Sequence, residues 1–419
     1  MALIVQKFGG TSVGSIDRIK NAASKALATQ AAGNDVVVIV SAMAGETNRL
    51  LKLANDIAPL PDRREMDALA ATGEQVSAAL MALAIQAQGG NARSFLGHQL
   101  KVLTDSAFTK ARIKAIDAGR LTDALGAGMV AVVAGFQGVD EEGNITTLGR
   151  GGSDTSAVAV AAAIGAAACE IYTDVDGVYT TDPNICKTAR KIERISYEEM
   201  LELASLGAKV LQIRSVEVAM KYGVPVHVRS SFTDAPGTWV VGEEQSLESV
   251  MVTGVAYDKG EARVMLVGVD DRPGVVAALF GALAAETIAV DMIIQGAGRN
   301  GAGDTPQKTD VTFTVNKADL ARAKLVVEGL SDKLGAKEVR YEEDITKVSI
   351  VGLGMRSHAG IASKMFALLA EEGINIQAIS TSEIKVSCIV ATKYTELAVR
   401  ALHDGFGLGG DTGAAVTKP

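Results

Sequence analysis

The sequence is poor in residue types that several functional classes require. Only 4% of the 419 residues are aromatic, so a row of aromatic platforms for stacked nucleic-acid bases is not expected. Three cysteines, Cys169, Cys186 and Cys388, stand far apart without a Cys-x-x-Cys pair, which argues against a disulfide framework and a structural zinc site. The four histidines are scattered, so neither a Ser-His-Asp triad nor a histidine metal site is indicated.

The charge and hydropathy of the sequence exclude further functional classes of protein. Lys and Arg total 41 against 49 Asp and Glu, a net charge of −8, whereas a protein that binds nucleic-acid backbones needs an excess of positive charge. The first residues lack the basic start and small-residue cleavage site of a secretory signal. The longest apolar run, residues 157–169, is shorter than the ~20 residues of a membrane helix and predicts a buried helix. We expect a cytoplasmic protein without nucleic-acid or membrane partners.

The first half of the chain has the pattern of an α/β fold. Short β-branched runs alternate with helical patterns, as the buried strands of a parallel sheet do. The predicted strands are residues 3–8, 36–41, 129–134, 171–173 and 224–228. Ser15 is placed to cap the first helix, Ser196 and Glu199 have the spacing of a capping box, and residues 209–222 predict a helix that Gly223 ends.

An internal repeat follows a looser, acidic stretch around residues 234–248. Aligning Gly274 with Gly360 also superposes Phe280 on Phe366 and Leu283 on Leu369. Each copy has the order of a ferredoxin-like βαββαβ module. Its first strand, helix and second strand are predicted at 264–269, 275–285 and 288–295, and at 348–353, 361–371 and 374–381. The second copy lacks a last strand, which residues 250–255 could supply, so that the two modules would interlock.

The junction between the first strand and the first helix is suited to an anion. Residues 7–14 read Lys-Phe-Gly-Gly-Thr-Ser-Val-Gly, and glycines let backbone N–H groups approach phosphate oxygens at a helix N-terminus. It is not a Walker A loop, because Ser15 and Ile16 stand where Lys and Ser or Thr are required. The alternative is a tight turn with a surface lysine. A lysine at the end of a buried strand favours the anion site.

A second strand-to-helix junction repeats this pattern, and a third segment follows another predicted strand. Residues 148–155 contain Arg150, which could bind a carboxylate in bidentate fashion, and Asp154, which could orient a lysine or bind Mg²⁺. Alternatively, Ser153 or Asp154 is simply the N-cap of the next helix. Residues 173–183 could frame a nucleotide, or only form a turn built on Asp and Gly. Two glycine-rich strand-to-helix loops in one domain favour a phosphate and its acceptor meeting between them.

Four segments taken in order resemble the aspartate kinase family. They are residues 7–12, residues 71–74 (Ala-Thr-Gly-Glu), residues 149–154 and residues 173–183, and the repeated modules look like the paired ACT domains of that family. The resemblance is to the monofunctional, lysine-pathway type. It implies an amino-acid-kinase fold, a parallel-sheet α/β sandwich, at residues 1–245. It also implies a linker and strand at 246–262, a first ACT module at 263–342 and a second at 343–419.

The resemblance also implies a reaction and its residues. The γ-phosphoryl group of MgATP would pass to the side-chain carboxylate of L-aspartate, with ATP and Mg²⁺ as cofactors and no metal ligand from the protein. Lys7 and Asp154 would be catalytic. The nucleotide would be bound by Lys7, Gly9, Gly10, Thr173, Asp174, Tyr179 and Lys209. Aspartate would be bound by Ser41, Thr47, Glu74, Arg150, Gly152 and Ser153.

The ACT-like pair implies feedback by lysine, threonine or both. Residues expected to contact an effector are Asp271, Gly274, Val275, Asp291, Gln295, Gly360, Ile361, Asn375, Ile376, Thr381 and Ser382. A homo-oligomer is expected, or an α2β2 assembly if Met251 starts a separate regulatory subunit. Two alternatives remain open: a kinase of another carboxylate such as glutamate or N-acetylglutamate, and an amino-acid sensor without enzyme activity.

Overall fold

The structure is a computed structural model that describes residues 2–206, 210–243, 251–296, 298 and 307–409. Its contacts divide the chain into two compact units. The first comprises residues 1–179 and 191–247, and the second comprises residues 180–190 and 248–419. The second unit therefore includes eleven residues that lie within the sequence of the first, a feature that the sequence did not predict.

The first unit contains fourteen strands and eight helices within its described part. The strands are β1 (Leu3–Phe8), β2 (Asp35–Val40), β3 (Ala92–Phe95), β4 (Leu103–Thr104), β5 (Ile113–Ala115), β6 (Val130–Ala134), β7 (Gln137–Val139), β8 (Ile145–Thr147), β9 (Ala168–Thr173), β10 (Val178–Tyr179), β11 (Lys191–Ile192), β12 (Arg194–Ser196), β13 (Val226–Ser230) and β14 (Thr238–Val241). The helices are α1 (Ile16–Ala31), α2 (Glu46–Ile57), α3 (Arg63–Ala70), α4 (Thr72–Ala87), α5 (Gly119–Gly126), α6 (Gly152–Ala163), α7 (Tyr197–Ser205) and α8 (Ile213–Tyr222).

The core of this unit is an eight-stranded sheet in the order β12-β14-β13-β9-β1-β2-β6-β3. Neighbouring strands run parallel except for the β13–β14 pair. Side chains from α1 and α4 pack on the face that carries Phe8 and Val38, while α6 contacts β1. Because side chains alternate along a strand, Lys7 lies on the face opposite Phe8. The predicted α/β class and parallel sheet are confirmed. Strand β1 has the predicted bounds, and the ends of the other predicted strands shift by at most three residues.

Helix bounds agree with the sequence at two starts, and they differ at two starts and one end. Ser15 caps α1, and Ser196 and Glu199 form the predicted capping box of α7. The N-cap of α6 is Gly151, in the left-handed conformation, so the alternative that Ser153 or Asp154 caps this helix is wrong. The predicted helix at 157–169 ends at residue 163, and residues from 168 onward belong to β9. The helix predicted from 209 begins at 213, because Gln212 is extended.

The second unit contains two four-stranded antiparallel sheets. Its strands are β15 (Gly254–Asp258), β16 (Glu261–Asp270), β17 (Ile294–Gln295), β18 (Lys308–Asn316), β19 (Glu338–Glu342), β20 (Ile345–Val351), β21 (Ala378–Thr381) and β22 (Lys385–Ala391). Its helices are α9 (Val275–Ala285), α10 (Leu320–Leu330), α11 (Ile361–Glu371) and α12 (Thr395–Gly405).

The two modules interlock through one exchanged strand. The first sheet has the order β17-β18-β16-β19, and the second has the order β15-β20-β22-β21. Strand β15 precedes the first module in sequence but pairs with β20 of the second, as predicted, although it spans residues 254–258 rather than 250–255. Helices α9 and α11 have the predicted bounds. The strands predicted at 288–295 and 374–381 are shorter, since only their last residues enter a ladder.

The segment of residues 180–190 lies in the core of the second unit. Its Ile185 belongs to the hydrophobic cluster formed by β15, β20, α11 and α12. The Val255 N–H group donates to the Thr180 carbonyl at 2.8 Å, and Arg400 donates to the Ile185 carbonyl at 2.9 Å. The Tyr257 hydroxyl donates to Asp182 at 3.0 Å. Both ends of this segment continue directly into the β10–β11 hairpin of the first unit.

One stretch of helix, residues 63–87, is long and apolar enough to cross a membrane by length and composition alone. Half of its apolar window is buried inside the fold, as in the core helix of a globular protein. It also contains the buried carboxylates Asp67 and Glu74, which a lipid-facing helix would not tolerate.

Candidate active site

The predicted anion-binding residues meet at one edge of the central sheet. Lys7 stands near the end of β1, Ser41 follows β2, Gly135 follows β6, and Thr173 ends β9. These four strands are parallel neighbours, so their carboxyl ends lie side by side. Ligands of open α/β sheets bind at this edge.

A cavity of about 450 Å³ opens here. Most residues predicted to bind the phosphoryl group and its acceptor line it: Lys7, Gly10, Ser41, Thr47, Glu74, Arg150, Gly152, Ser153 and Asp154. A larger cavity of about 520 Å³ is lined by Arg112, Arg214 and the alanines of α6, and none of the predicted residues contribute to it. The chemistry therefore points to the smaller cavity.

A buried ion pair joins the two glycine-rich loops. The Lys7 Nζ atom lies 2.5 Å from Asp154 Oδ1, and each residue is only 8% exposed. Lys7 comes from the central strand, while Asp154 lies in the first turn of α6. A buried ammonium needs a partner of opposite charge, and Asp154 supplies it. The pair leaves the Lys7 ammonium fixed at the wall of the cavity.

The two glycines after Lys7 have different surroundings. A Cβ atom on Gly10 would lie 2.9 Å from the Ala42 carbonyl oxygen, so only glycine lets the β1 loop approach the β2 loop this closely. The Gly9 N–H group donates to the Tyr172 carbonyl at 3.2 Å. It would have to leave that partner to reach a phosphate oxygen, whereas Gly10 lines the cavity itself.

Glu74 is a carboxylate buried at the cavity wall. It is 3% exposed; its Oε1 atom accepts a hydrogen bond from the Ala42 N–H group at 3.0 Å, and its buried Oε2 atom has no hydrogen-bond partner. Burial raises the pKa of Glu74 to about 7, although the backbone hydrogen bond opposes this shift. A cationic group entering the cavity would find an unused acceptor here.

The loop that carries Arg150 is shaped by glycines. Gly149 and Gly151 have φ values of +77° and +71°, in the left-handed region that disfavours other residues. A Cβ atom on Gly152 would lie 2.8 Å from a ring carbon of Phe136. Arg150 itself is exposed at the rim, where its guanidinium is accessible to an anionic ligand.

Three of the predicted nucleotide residues, Thr173, Asp174 and Tyr179, lie outside this cavity lining, from the end of β9 to β10. The Thr173 hydroxyl donates to Asp174 at 3.2 Å, and the Tyr179 hydroxyl donates to Asp176 at 2.9 Å. Asp176 also pairs with Lys191 at 3.3 Å, so it holds the β10–β11 hairpin, a role that turn chemistry in the sequence did not reveal. Lys209 lies outside the described residues.

Asp67 is a site residue that the sequence analysis missed. It is 1% exposed and accepts hydrogen bonds from the Thr147 N–H and hydroxyl groups at 2.8 and 2.6 Å and from the Thr109 N–H group at 2.9 Å. Burial raises the pKa of this carboxyl despite those hydrogen bonds. Asp67 thereby fixes the end of β8 two residues before Gly149. No motif in the sequence marks it.

The predicted effector residues lie in the second unit. Gly274 and Gly360 are the N-caps of α9 and α11, with φ values of +92° and +95°, and Val275 and Ile361 begin these helices. Asp271 accepts a hydrogen bond from the Gly298 N–H group at 3.1 Å. The others lie on or next to the second strands of the two modules: Asp291, Gln295, Asn375, Ile376, Thr381 and Ser382.

Asp291 is already paired. Its carboxylate contacts the Lys347 ammonium, which is 3% exposed and also lies 2.6 Å from Glu261. Lys347 stands on β20 and Glu261 on β16, so this cluster joins the two modules of the unit. An effector ammonium that binds Asp291 would have to share this carboxylate with Lys347.

Comparison with known proteins finds relatives along almost the whole chain. Residues 2–230 match the amino acid kinase family, and residues 264–329 and 348–406 match the ACT domain. An aspartate kinase from Stutzerimonas stutzeri is 54% identical over 414 residues, covering 99% of both chains. An aspartokinase from Pseudomonas aeruginosa is 54% identical over 410 residues, covering 97% of this chain and 98% of the other.

Solved structures of aspartokinases also match almost the whole chain. Aspartokinase III of E. coli in complex with aspartate and ADP has a TM-score of 0.80 at 27% identity, covering 96% of this chain and 99% of that one. The complex of the same enzyme with lysine and aspartate has a TM-score of 0.76 at 27% identity, covering the same fractions. The predicted amino-acid-kinase fold followed by ACT modules is confirmed.

We predict that Asp67→Ala destabilises the first unit by about 1–3 kcal/mol, because the N–H groups of Thr147 and Thr109 would lose their buried acceptor. The single tryptophan, Trp239 on β14, reports on this unit alone, so its fluorescence during urea unfolding measures the change. Asp123→Ala, at an exposed position, is the matched control and should shift the midpoint little. Equal stability of the two variants would contradict the assigned role of Asp67.

Proposed function

This chain belongs to the amino acid kinase family as an aspartate kinase, and from that premise we propose which residues perform the reaction. ATP and L-aspartate give ADP and 4-phospho-L-aspartate. The observation that carries the assignment is the buried Lys7–Asp154 pair at 2.5 Å, set between two glycine-rich loops on the wall of one cavity.

The cavity offers complementary groups for the two charges of the aspartate backbone. Arg150 at the rim binds the α-carboxylate, since its planar guanidinium matches two oxygens. The unused Oε2 atom of Glu74 accepts the ammonium. Ser41, Thr47 and Ser153 supply hydroxyl donors, and the Gly152 backbone lies beside them. Held in this way, aspartate presents its side-chain carboxylate toward Lys7.

The reaction needs charge neutralisation more than proton transfer. A carboxylate oxygen of aspartate forms a bond to the γ-phosphorus while the bond to the β,γ-bridging oxygen breaks, and no proton has to be removed from the acceptor. Lys7 stabilises the negative charge on the transferred group, with the Gly10 N–H group beside it. Asp154 holds the ammonium in position. This chemistry explains why the site functions without a histidine.

Magnesium fits the site as a partner of the nucleotide. Two of the cavity carboxylates are already engaged, Asp67 by Thr147 and Thr109 and Asp154 by Lys7, so the phosphate oxygens of ATP are the natural ligands. When bound, Mg²⁺ neutralises part of the triphosphate charge. Thr173, Asp174 and Tyr179 hold the nucleoside on the neighbouring loop, with Lys209 assigned to the same group by resemblance.

Removal of the ammonium tests the proposed mechanism. We expect Lys7→Ala to lower kcat by at least about 100-fold, the cost of losing one preorganised donor to the developing charge. The assay couples ADP release to NADH oxidation and traps the acyl phosphate as its hydroxamate. Lys25→Ala, at a half-buried lysine of α1 paired with Asp234, is the control and should retain activity. Unchanged turnover of Lys7→Ala would remove the assignment.

The raised pKa of Glu74 predicts a pH dependence of aspartate binding. Below about pH 7 the carboxyl is protonated and cannot pair with an ammonium, so KM for aspartate should rise about tenfold as the pH falls from about 8 to about 6. In Glu74→Gln the KM should be high and nearly independent of pH over this range. A wild-type KM that is flat between these pH values would contradict the assigned contact.

Feedback inhibition is the function we propose for the ACT modules. E. coli aspartokinase III has been solved with lysine, and the relative shares both modules with this chain. We place lysine, threonine or both at the α9 and α11 N-termini and the adjacent second strands, where N–H groups are suited to an amino-acid carboxylate. Coupling of about 1–3 kcal/mol to the active site is sufficient for regulation.

Calorimetric titration of lysine and threonine, separately and together, measures this binding. We expect saturable heat from at least one of them, and the same heat in Lys7→Ala, because the catalytic and effector residues lie in different units. Asp291→Asn should weaken binding without changing activity in the absence of effector. If neither amino acid gives heat, the proposed effectors are wrong.

A separate regulatory subunit started at Met251 is compatible with the fold of the second unit. Such a chain would include β15, which the second module requires, but would lack residues 180–190 with Ile185. Expression of the intact coding sequence with a C-terminal tag should give a second, small product that Met251→Leu abolishes. Detection of the full-length chain alone would exclude the internal start, and the active enzyme would then be a homo-oligomer.

A further inference from the structure

Three side chains able to ligate a metal meet in the second unit, and none of them lines the active-site cavity. Cys186 lies in the segment of residues 180–190, and His403 and Asp404 lie near the end of α12. The Cys186 Sγ atom is 3.3 Å from His403 Nδ1, which is 3.6 Å from Asp404 Oδ1. All three ligand atoms lie within 4.8 Å of one another. More than two hundred residues separate the cysteine from the histidine, which hid this cluster from the sequence analysis.

The ring of His403 has a contact at each nitrogen. Its Nε2 atom lies 3.0 Å from the Thr180 hydroxyl oxygen, which also accepts from the Arg190 N–H group and lies 3.3 Å from the Leu408 carbonyl. Its Nδ1 atom faces Cys186 and Asp404. A metal-ligating histidine commonly has its other ring nitrogen held by a hydrogen bond of this kind.

Two of the three distances between these ligand atoms match the zinc class of cation. Zinc binds sulfur at about 2.3 Å and imidazole nitrogen or carboxylate oxygen at about 2.0–2.2 Å, so tetrahedral ligand atoms lie roughly 3.3–3.7 Å apart. The cysteine–histidine and histidine–aspartate distances of 3.3 and 3.6 Å lie in this range. Cys186 and His403 are buried, whereas the Asp404 side chain is 70% exposed. A cation can therefore enter from the Asp404 side.

We propose that Cys186 Sγ, His403 Nδ1 and the Asp404 carboxylate bind one thiophilic divalent cation of the zinc class, with water as the fourth ligand. On binding, the Cys186 thiol releases its proton to solvent and the thiolate bonds to the metal, while the His403 ring stays neutral. The thiolate and the carboxylate together balance the charge of the cation. The site connects the segment of residues 180–190 to α12, and it is independent of the proposed phosphoryl-transfer mechanism.

Cobalt titration of the full-length, metal-depleted protein tests the site directly. We expect one equivalent of Co²⁺ to produce a thiolate-to-cobalt charge-transfer band in the near ultraviolet and intense visible bands of a tetrahedral centre, both abolished by an added equivalent of Zn²⁺. Cys186→Ser should remove the charge-transfer band. Asp404→Asn, at an exposed position that does not endanger folding, should weaken Co²⁺ binding by at least about tenfold.

Cys388→Ala is the control, since Cys388 is the other thiol of this unit and lies on β22. It should bind Co²⁺ as the wild type does. Circular dichroism and thermal melting confirm that each variant is folded. The proposal is overturned if no charge-transfer band appears with millimolar Co²⁺, if the band survives Cys186→Ser, or if Asp404→Asn binds cobalt with unchanged affinity.

Discussion

The proposed active site of the first unit depends on one buried interaction, the pairing of the Lys7 ammonium with the Asp154 carboxylate. The ammonium lies near the end of the central strand of a parallel sheet, where burial would be costly without a partner. Asp154 reaches it because Gly151 in the left-handed conformation starts α6 beside β1. A fixed positive charge thus stands where we propose that the phosphoryl group is transferred. The loop after β1 also needs glycine, since a Cβ atom on Gly10 would lie 2.9 Å from the Ala42 carbonyl oxygen.

The second unit is organised by exchange of chain segments. The module formed by β20–β22 takes its edge strand from before the first module and part of its core from residues 180–190. The Lys347 cluster then joins β16 and β20 through buried charges. Because the segment of residues 180–190 continues covalently from Tyr179, it connects the second unit directly, along the chain, to the loop that we assign to the nucleotide.

Local signals in the sequence predicted much of this structure. Alternating β-branched runs located the parallel strands, and Ser15, Ser196 and Glu199 marked helix starts, because these features act over a few residues. The repeat revealed both modules and the exchanged strand. What the sequence could not reveal depends on contacts between distant residues: the role of Asp67 beside Thr147, the placement of residues 180–190, and the meeting of Cys186 with His403. The α6 cap was missed because glycine, without a side chain, gives no capping signal.

A double-mutant cycle on Lys7 and Asp154 tests the central claim most directly, with kcat measured for Lys7→Ala, Asp154→Asn and the double variant. If Asp154 acts by holding the ammonium, the double variant should be no slower than Lys7→Ala alone, because the aspartate has nothing left to position. Multiplication of the two losses in the double variant would show that each residue acts independently, and would contradict the account.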